Sequence, residues 1–244
     1  MQDRQIAMSI VIPCFNEAES ISNLFSKLRQ FEEKLSKSHE LIFVDDGSTD
    51  ATYSKLKEFY NDRIGKDAKV IRHPKNRGVG AALKTGILDS DGCYIAAMDS
   101  DCTYEPINFI DMLRILKREQ ADMITASPYH PEGSVDNVPL YRLFLSINLS
   151  RIYNIVLRCK FYTYTSIFRI YRAEAVKSTD FKSDGFLSMA EIFIRMHQKG
   201  YRILEYPTTL MVRKFGTSKA KILKVIIEHL HFIVKLLTKK GRKV

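Results

Sequence analysis

Short apolar runs alternate with helical periodicity along the first half of the chain. Ser9 to Pro13 (S-I-V-I-P) is an apolar run of strand length. Asn16 and Glu19 then give a cap-like start, and Ile21, Leu24, Phe25, Leu28, Phe31 and Leu35 follow at helical spacing. Glu40 to Val44 predicts a second strand, which runs into Asp45-Asp46-Gly47-Ser48. A helix through Leu56 and Phe59 and a third strand at Lys69 to Arg72 come next. Asn76 to Gly86 is glycine-rich and leads into a short helix through Leu83 and Ile87. Tyr94 to Met98 predicts a fourth strand with Asp99-Ser100-Asp101 at its end. Pro106 opens a helix carrying Ile110, Leu113 and Leu116, and Asp122 to Ala126 predicts a fifth strand. This repeated strand–helix order predicts an α/β fold, a mostly parallel central sheet with helices on both faces.

The second half is less regular. Val138 to Arg158 is a long, very apolar helix candidate, and Thr163 to Tyr171 has strand character. Phe186 to Gln198 predicts a helix ended by Gly200, and Tyr201 to Val212 a strand broken by Pro207. Lys219 to Lys240 predicts a final helix. Its residues Lys221, Lys224, Glu228, His231 and Lys235 form one narrow polar stripe on an otherwise apolar surface. Such a helix suits a membrane interface or a protein surface, either its own domain or a second subunit in a homo-oligomer. The expected division is a domain at 1–214 followed by a basic amphipathic helix at 215–244.

Charge sharpens this division. The formal net charge is +10, of which +7 lies between Lys219 and Val244 and +3 in the rest of the 244 residues. A nucleic-acid partner is not expected from such localised charge, whereas an anionic membrane surface suits it. Cys14, Cys93, Cys102 and Cys159 form no C-x-x-C pair, as in a protein with reduced thiols. Met1 to Ser9 has no signal-like apolar core, and no run approaches the roughly 20 residues of a spanning helix. A cytoplasmic, peripherally membrane-associated protein is the expectation.

Acidic clusters stand at two predicted strand ends, where open α/β sheets bind ligands. Asp99 and Asp101, at i and i+2, suit a hard cation such as Mg²⁺ or Mn²⁺, with coordination sites left for diphosphate oxygens. Asp46 has the chemistry to accept hydrogen bonds from a base or ribose, although Asp45 to Ser48 also reads as a plain turn. Asn76-Arg77-Gly78-Val79-Gly80 is not a P-loop; it suits a phosphate contact or a tight turn equally.

Four ordered motifs resemble family 2 glycosyltransferases: Ile10 to Glu17 (I-V-I-P-C-F-N-E), Val44 to Asp50 (V-D-D-G-S-T-D), Asn76 to Ala82, and Asp99-x-Asp101. The resemblance spans roughly Met8 to Ser218. It implies a GT-A fold and an inverting, metal-dependent transfer from a nucleotide sugar, such as a GDP- or UDP-sugar. It also implies a donor pocket of Pro13, Phe15, Glu17, Asp46, Asp99, Ser100 and Asp101, with the metal on Asp99 and Asp101 and with Asp101 catalytic.

Within the family, Ser166 to Arg172 and Arg213 to Lys219 resemble the dolichyl-phosphate mannosyltransferase-like branch. That branch implies a polyprenyl phosphate acceptor bound by Arg142, Ser146 and Arg213. Arg142 and Ser146 stand four apart, on one helix face. Pro128 departs from the branch, where Arg is common, and Thr103 stands where Gln is frequent. Glu191 falls near the catalytic base of other family 2 enzymes and is a catalytic candidate by that resemblance, the other reading being a structural or acceptor-positioning carboxylate. A saccharide hydroxyl acceptor needs such a base, whereas a phosphate acceptor, largely dianionic at neutral pH, does not. The alternatives to polyprenyl transfer are a glycan acceptor and a non-catalytic sugar-nucleotide-binding protein.

Overall fold

The structure, a computed structural model, describes residues 6–35, 37–212 and 222–240. Arg213, Lys219 and Lys221 lie outside them. The elements run β1 (Met8–Cys14), α1 (Ile21–Lys34), β2 (His39–Asp45), α2 (Thr52–Phe59), β3 (Ala68–Arg72), α3 (Val79–Asp89), β4 (Tyr94–Ala97), α4 (Asn108–Arg118) and β5 (Met123–Ser127). They continue through β6 (Ser134–Asp136), α5 (Leu140–Leu157), β7 (Arg169–Arg172), α6 (Ala173–Lys177), α7 (Leu187–Gln198), β8 (Ile203–Pro207), β9 (Thr209–Met211) and α8 (Ile222–Lys240).

Seven strands form one sheet in the order β3-β2-β1-β4-β7-β5-β8. β7 runs antiparallel to both neighbours, and every other pairing in the sheet is parallel. β1 lies between β2 and β4 and is buried along its whole length. Burial on both faces is why its sequence is apolar without alternation. Its side chains still alternate by face: Ile10 and Ile12 join the cluster with α1 and α4, whereas Val11 joins the cluster with α3, α7 and α8. The α/β sheet expected from the sequence is therefore present, with helices on both faces.

Three local expectations change. Asn16 does not cap α1, which starts after Ser20. Asn16 instead takes a left-handed φ of 53°. Its backbone N–H donates to Ser48 Oγ at 2.9 Å and its Oδ1 accepts the Thr49 N–H at 2.8 Å, joining the β1 and β2 loops. The strand expected at Thr163 to Tyr171 shortens to β7. Side chains satisfy the backbone before it: Glu205 Oε1 accepts the Thr163 N–H at 2.9 Å and Arg169 Nη2 donates to the Tyr164 carbonyl at 2.6 Å. The segment 163–168 is thus free to line a cavity rather than extend the sheet. β9 leaves the main sheet after Pro207 and pairs in parallel with β6, a strand the sequence did not signal.

α5 and α8 are apolar on two sides. α8 docks through His229, Phe232, Ile233 and Leu236, all buried. His229 Nδ1 lies 2.7 Å from the Tyr153 hydroxyl of α5. The outer surfaces remain exposed: Leu140 is 81% accessible, Phe144 68%, Ile155 78%, Leu223 72% and Ile227 57%. No helix among the described residues is long and apolar enough to cross a membrane.

Burial pushes the His229 imidazole down to about 4. Between that value and its ordinary 6.5, the unfolded chain binds more protons than the folded one. The stabilisation is complete above about pH 6.5 and is lost as pH falls through 4, up to about 3 kcal/mol in all. We expect His229→Leu to remove most of this slope between pH 7.5 and 4.5. Denaturant titrations of both proteins across that range check it; identical slopes would show that His229 does not carry it.

Candidate active site

β1, β2 and β4 are parallel neighbours in register, so the loops that follow them meet at one sheet edge. Pro13 is the penultimate residue of β1 and pairs with Val44. Phe15 is half-buried just beyond it. Glu17 is buried; its backbone N–H donates to Thr52 Oγ1 at 2.8 Å, and its carboxylate accepts the Ser20 hydroxyl at 2.7 Å.

Asp46, expected to face a nucleoside, turns inward. Only 2% of it is accessible, and Oδ1 accepts from His73 Nδ1 at 2.6 Å and from the Arg77 N–H at 3.0 Å. Oδ2 accepts the Gly78 N–H at 2.7 Å. The carboxylate therefore organises the glycine loop. The loop has the bonding of a tight turn: its Arg77, Gly78, Gly80 and Ala81 amides have protein partners. Gly80 and Ala81 N–H donate to the Asp184 carbonyl at 2.7 and 3.1 Å. Gly78 has φ of 107°, and a Cβ there would collide with the Asp184 carbonyl. A Cβ on Gly80 would stand 2.5 Å from the Ser183 carbonyl oxygen. The glycines permit backbone-to-backbone packing against the 182–185 turn.

Asp99, Ser100 and Asp101 follow β4, which ends at Ala97, one residue before the expected Met98. Ser100 and Asp101 form a turn, so alternation along an extended strand does not orient the pair. Asp101 is held instead by the Thr103 N–H, which donates to Oδ1 at 3.1 Å. Asp99 and Asp101 are half-buried, and Asp99 lines a cavity of about 190 Å³. Among the described residues, no group of three or more His, Cys, Asp or Glu side chains is arranged to hold a metal ion. The two carboxylates fit a hard divalent cation that takes its remaining oxygens from a ligand or water. The nearby thiols do not compete: burial pushes both Cys14 and Cys102 up, Cys102 to about 12 with Asp101 adding to the effect.

The Asp99 cavity reaches the residues expected on the acceptor side. Ser146 lines it, with Thr103, Tyr129, Thr165 and Phe186. Ser146, Thr165 and Phe186 also border a second, apolar groove of about 440 Å³ between α5 and α8. Arg142 stands in this groove one turn from Ser146 and is exposed, with Tyr141 its hydrogen-bond partner. Ser146 Oγ lies 3.2 Å from Thr165 Oγ1.

Glu191 is not built as a base. It is 2% accessible; Oε2 accepts the Lys182 and Ser183 N–H groups at 3.1 and 2.8 Å, and Oε1 accepts Arg195 Nε at 2.8 Å. Burial pushes the carboxyl up, but the Ser183 hydrogen bond and the Arg195 guanidinium outweigh it and hold it below its usual range. A base needs a free lone pair and a pKa near the working pH.

Sequence reasoning did not single out Tyr104, Tyr129, Thr163 or Thr165, all of which line the Asp99 cavity. The hydroxyl-rich run Tyr162-Thr163-Tyr164-Thr165-Ser166 was the available signal. Arg169, fully buried, fixes this wall: it bonds to Thr125 Oγ1 and to the Met189 and Tyr164 carbonyls.

The chain is 30% identical over 237 residues to a dolichol-phosphate mannosyltransferase of Pyrococcus furiosus, covering 96% of this chain and 64% of that protein. It is 26% identical over 216 residues to a dodecaprenyl-phosphate galacturonate synthase of Rhizobium johnstonii, covering 88% and 62% respectively. It thus spans just under two-thirds of the length of each of these relatives. The fold is similar to that of glucosyl-3-phosphoglycerate synthase from Mycobacterium tuberculosis, solved with Mn²⁺ and UDP-glucose. The TM-score is 0.70 at 20% identity, over 97% of this chain and 79% of that one. Residues 9–179 match the profile of Glycosyl transferase family 2, and the chain, with its GT-A-like sheet and its acidic strand ends, belongs to that family.

Proposed function

We propose that this chain transfers a sugar from a nucleoside-diphosphate sugar to a polyprenyl phosphate, with inversion, at the cytoplasmic face of a membrane. The observation that carries the reading is the adjacency of two cavities that share a wall. Ser146, Thr165 and Phe186 border both the Asp99 cavity and the apolar groove between α5 and α8, and Arg142 lines the groove beside them. A ligand with a phosphate head and a hydrocarbon tail matches that sequence of surfaces. Both relatives, a dolichol-phosphate and a dodecaprenyl-phosphate enzyme by name, support the acceptor class.

In this reading Asp99 and Asp101 hold Mn²⁺ or Mg²⁺, which offsets charge on the departing diphosphate. Pro13, Phe15, Glu17 and Ser100 border the donor, and Asp46 serves it by fixing the 76–80 loop. Arg142, Ser146 and Arg213 hold the acceptor phosphate. That phosphate is itself the nucleophile, so the engagement of Glu191 in structural bonds is no obstacle. The direct test offers UDP- and GDP-sugars with a polyprenyl phosphate and Mn²⁺ and looks for a lipid-linked sugar. Product only with a soluble glycan acceptor would overturn the lipid reading.

The exposed apolar rows of α5 and α8 are the proposed membrane face, with Arg151, Arg158, Lys224 and Lys235 toward headgroups. Each basic residue near an anionic surface adds about 1 kcal/mol, which salt screens. Apolar insertion survives salt. Binding to phosphatidylserine-containing vesicles is expected to weaken but persist at 1 M salt. Leu223→Glu with Ile227→Glu, both on the exposed side of α8, is expected to abolish the persistent part. A chain that ignores such vesicles at low salt would leave α8 as a packing or oligomer element.

A further inference from the structure

We propose that Glu191 is a positioning residue for the donor side of the site, acting through the 182–185 turn on the 76–80 loop. The inference rests on the nucleotide-sugar reading above. Three pairs of hydrogen bonds form the chain. The Glu191 carboxylate accepts the Lys182 and Ser183 N–H groups and so sets the turn. The turn presents the Asp184 carbonyl to the Gly80 and Ala81 N–H groups at the start of α3. The same loop gives its Arg77 and Gly78 N–H groups to Asp46. Between those anchors it places Val79 in the Asp99 cavity.

The loop has no slack in this arrangement. Glycine at 78 and 80 lets its backbone press directly on the 182–185 turn, so a shift of the turn is transmitted rather than absorbed. On the other side, Phe186 follows the turn and lines both the Asp99 cavity and the apolar groove. Glu191 thus sets, from the buried face of α7, the spacing between the donor loop and the acceptor wall. Arg195 holds Oε1 and leaves Oε2 for the turn.

This role separates from a base and from bulk stability. Calorimetry of UDP and GDP with Mn²⁺, well below the melting temperature of each variant, reads the donor side directly. Glu191→Ala removes the acceptor for both turn amides and, by letting the 76–80 loop shift, is expected to weaken nucleotide binding about tenfold or more. Glu191→Gln keeps one carbonyl oxygen for the turn and is expected to recover most of that affinity. Gly80→Ala strains the same contact from the other side and is expected to reproduce the loss without touching Glu191. Wild-type affinity in Glu191→Ala or in Gly80→Ala would overturn the proposal. So would a Glu191→Gln enzyme with intact nucleotide binding and no turnover, which is the signature of a base. If the wild-type chain binds neither nucleotide with Mn²⁺, the nucleotide-sugar reading itself fails.

Discussion

Asp101→Asn is expected to lower sugar transfer by roughly three orders of magnitude and to remove metal-dependent nucleotide binding, with the fold intact. The amide is nearly isosteric, and its oxygen can still accept the Thr103 N–H that holds the Asp101 Oδ1 at 3.1 Å. The turn after β4 therefore keeps its shape. The charge is lost, and with it half of the carboxylate pair that the described residues offer a cation at this strand end. Calorimetry of UDP and GDP with and without Mn²⁺, beside transfer kinetics and a melting curve, checks the three parts separately. Normal turnover by the variant would sink the metal assignment; a large fall in melting temperature would make the carboxylate structural instead.

Arg142→Ala is expected to raise the KM for polyprenyl phosphate roughly 10- to 100-fold while leaving nucleotide affinity within about twofold, the range for a hydrogen bond to a charged group. Arg142 is exposed on α5 and, among the described residues, donates to the exposed Tyr141 hydroxyl, so its loss there leaves no buried group unsatisfied. Arg213→Ala is expected to act alike on the resemblance alone, since it lies outside the described residues. Arg142→Lys keeps the charge but not the fork, and is expected to recover part of the loss. The measurement is acceptor-dependent kinetics beside nucleotide calorimetry. Equal loss of both affinities would show that Arg142 does not act on the acceptor.

The central sheet was legible because β1, β2, β4 and β5 are buried on both faces, and such strands are mostly apolar. The acidic strand ends were legible for the opposite reason. Unpaired carboxylates are costly to bury, so Asp46, Asp99 and Asp101 beside apolar runs needed partners of some kind. For Asp46 that argument stopped at the need: the partners are His73 and the amides of Arg77 and Gly78, about thirty residues away in the chain. Glu191 shows the same limit, since nothing local to α7 indicates that its carboxylate is occupied by the 182–185 turn.

Local chemistry settled the existence of most helices and strands here, because burial periodicity is set by each segment's own side chains. The insertion of β7 antiparallel between β4 and β5 came from pairing partners far apart in sequence, which no local period encodes. The same holds for the glycine loop. Glycine spacing permits either a phosphate contact or a close backbone approach, and only the arrival of Ser183 and Asp184 from the far half of the chain selects the second. The described part of the amphipathic C-terminal segment, α8, was likewise divided by docking. His229, Phe232, Ile233 and Leu236 were drawn onto α5 and α7, and the apolar residues left over form an outer face among the described residues.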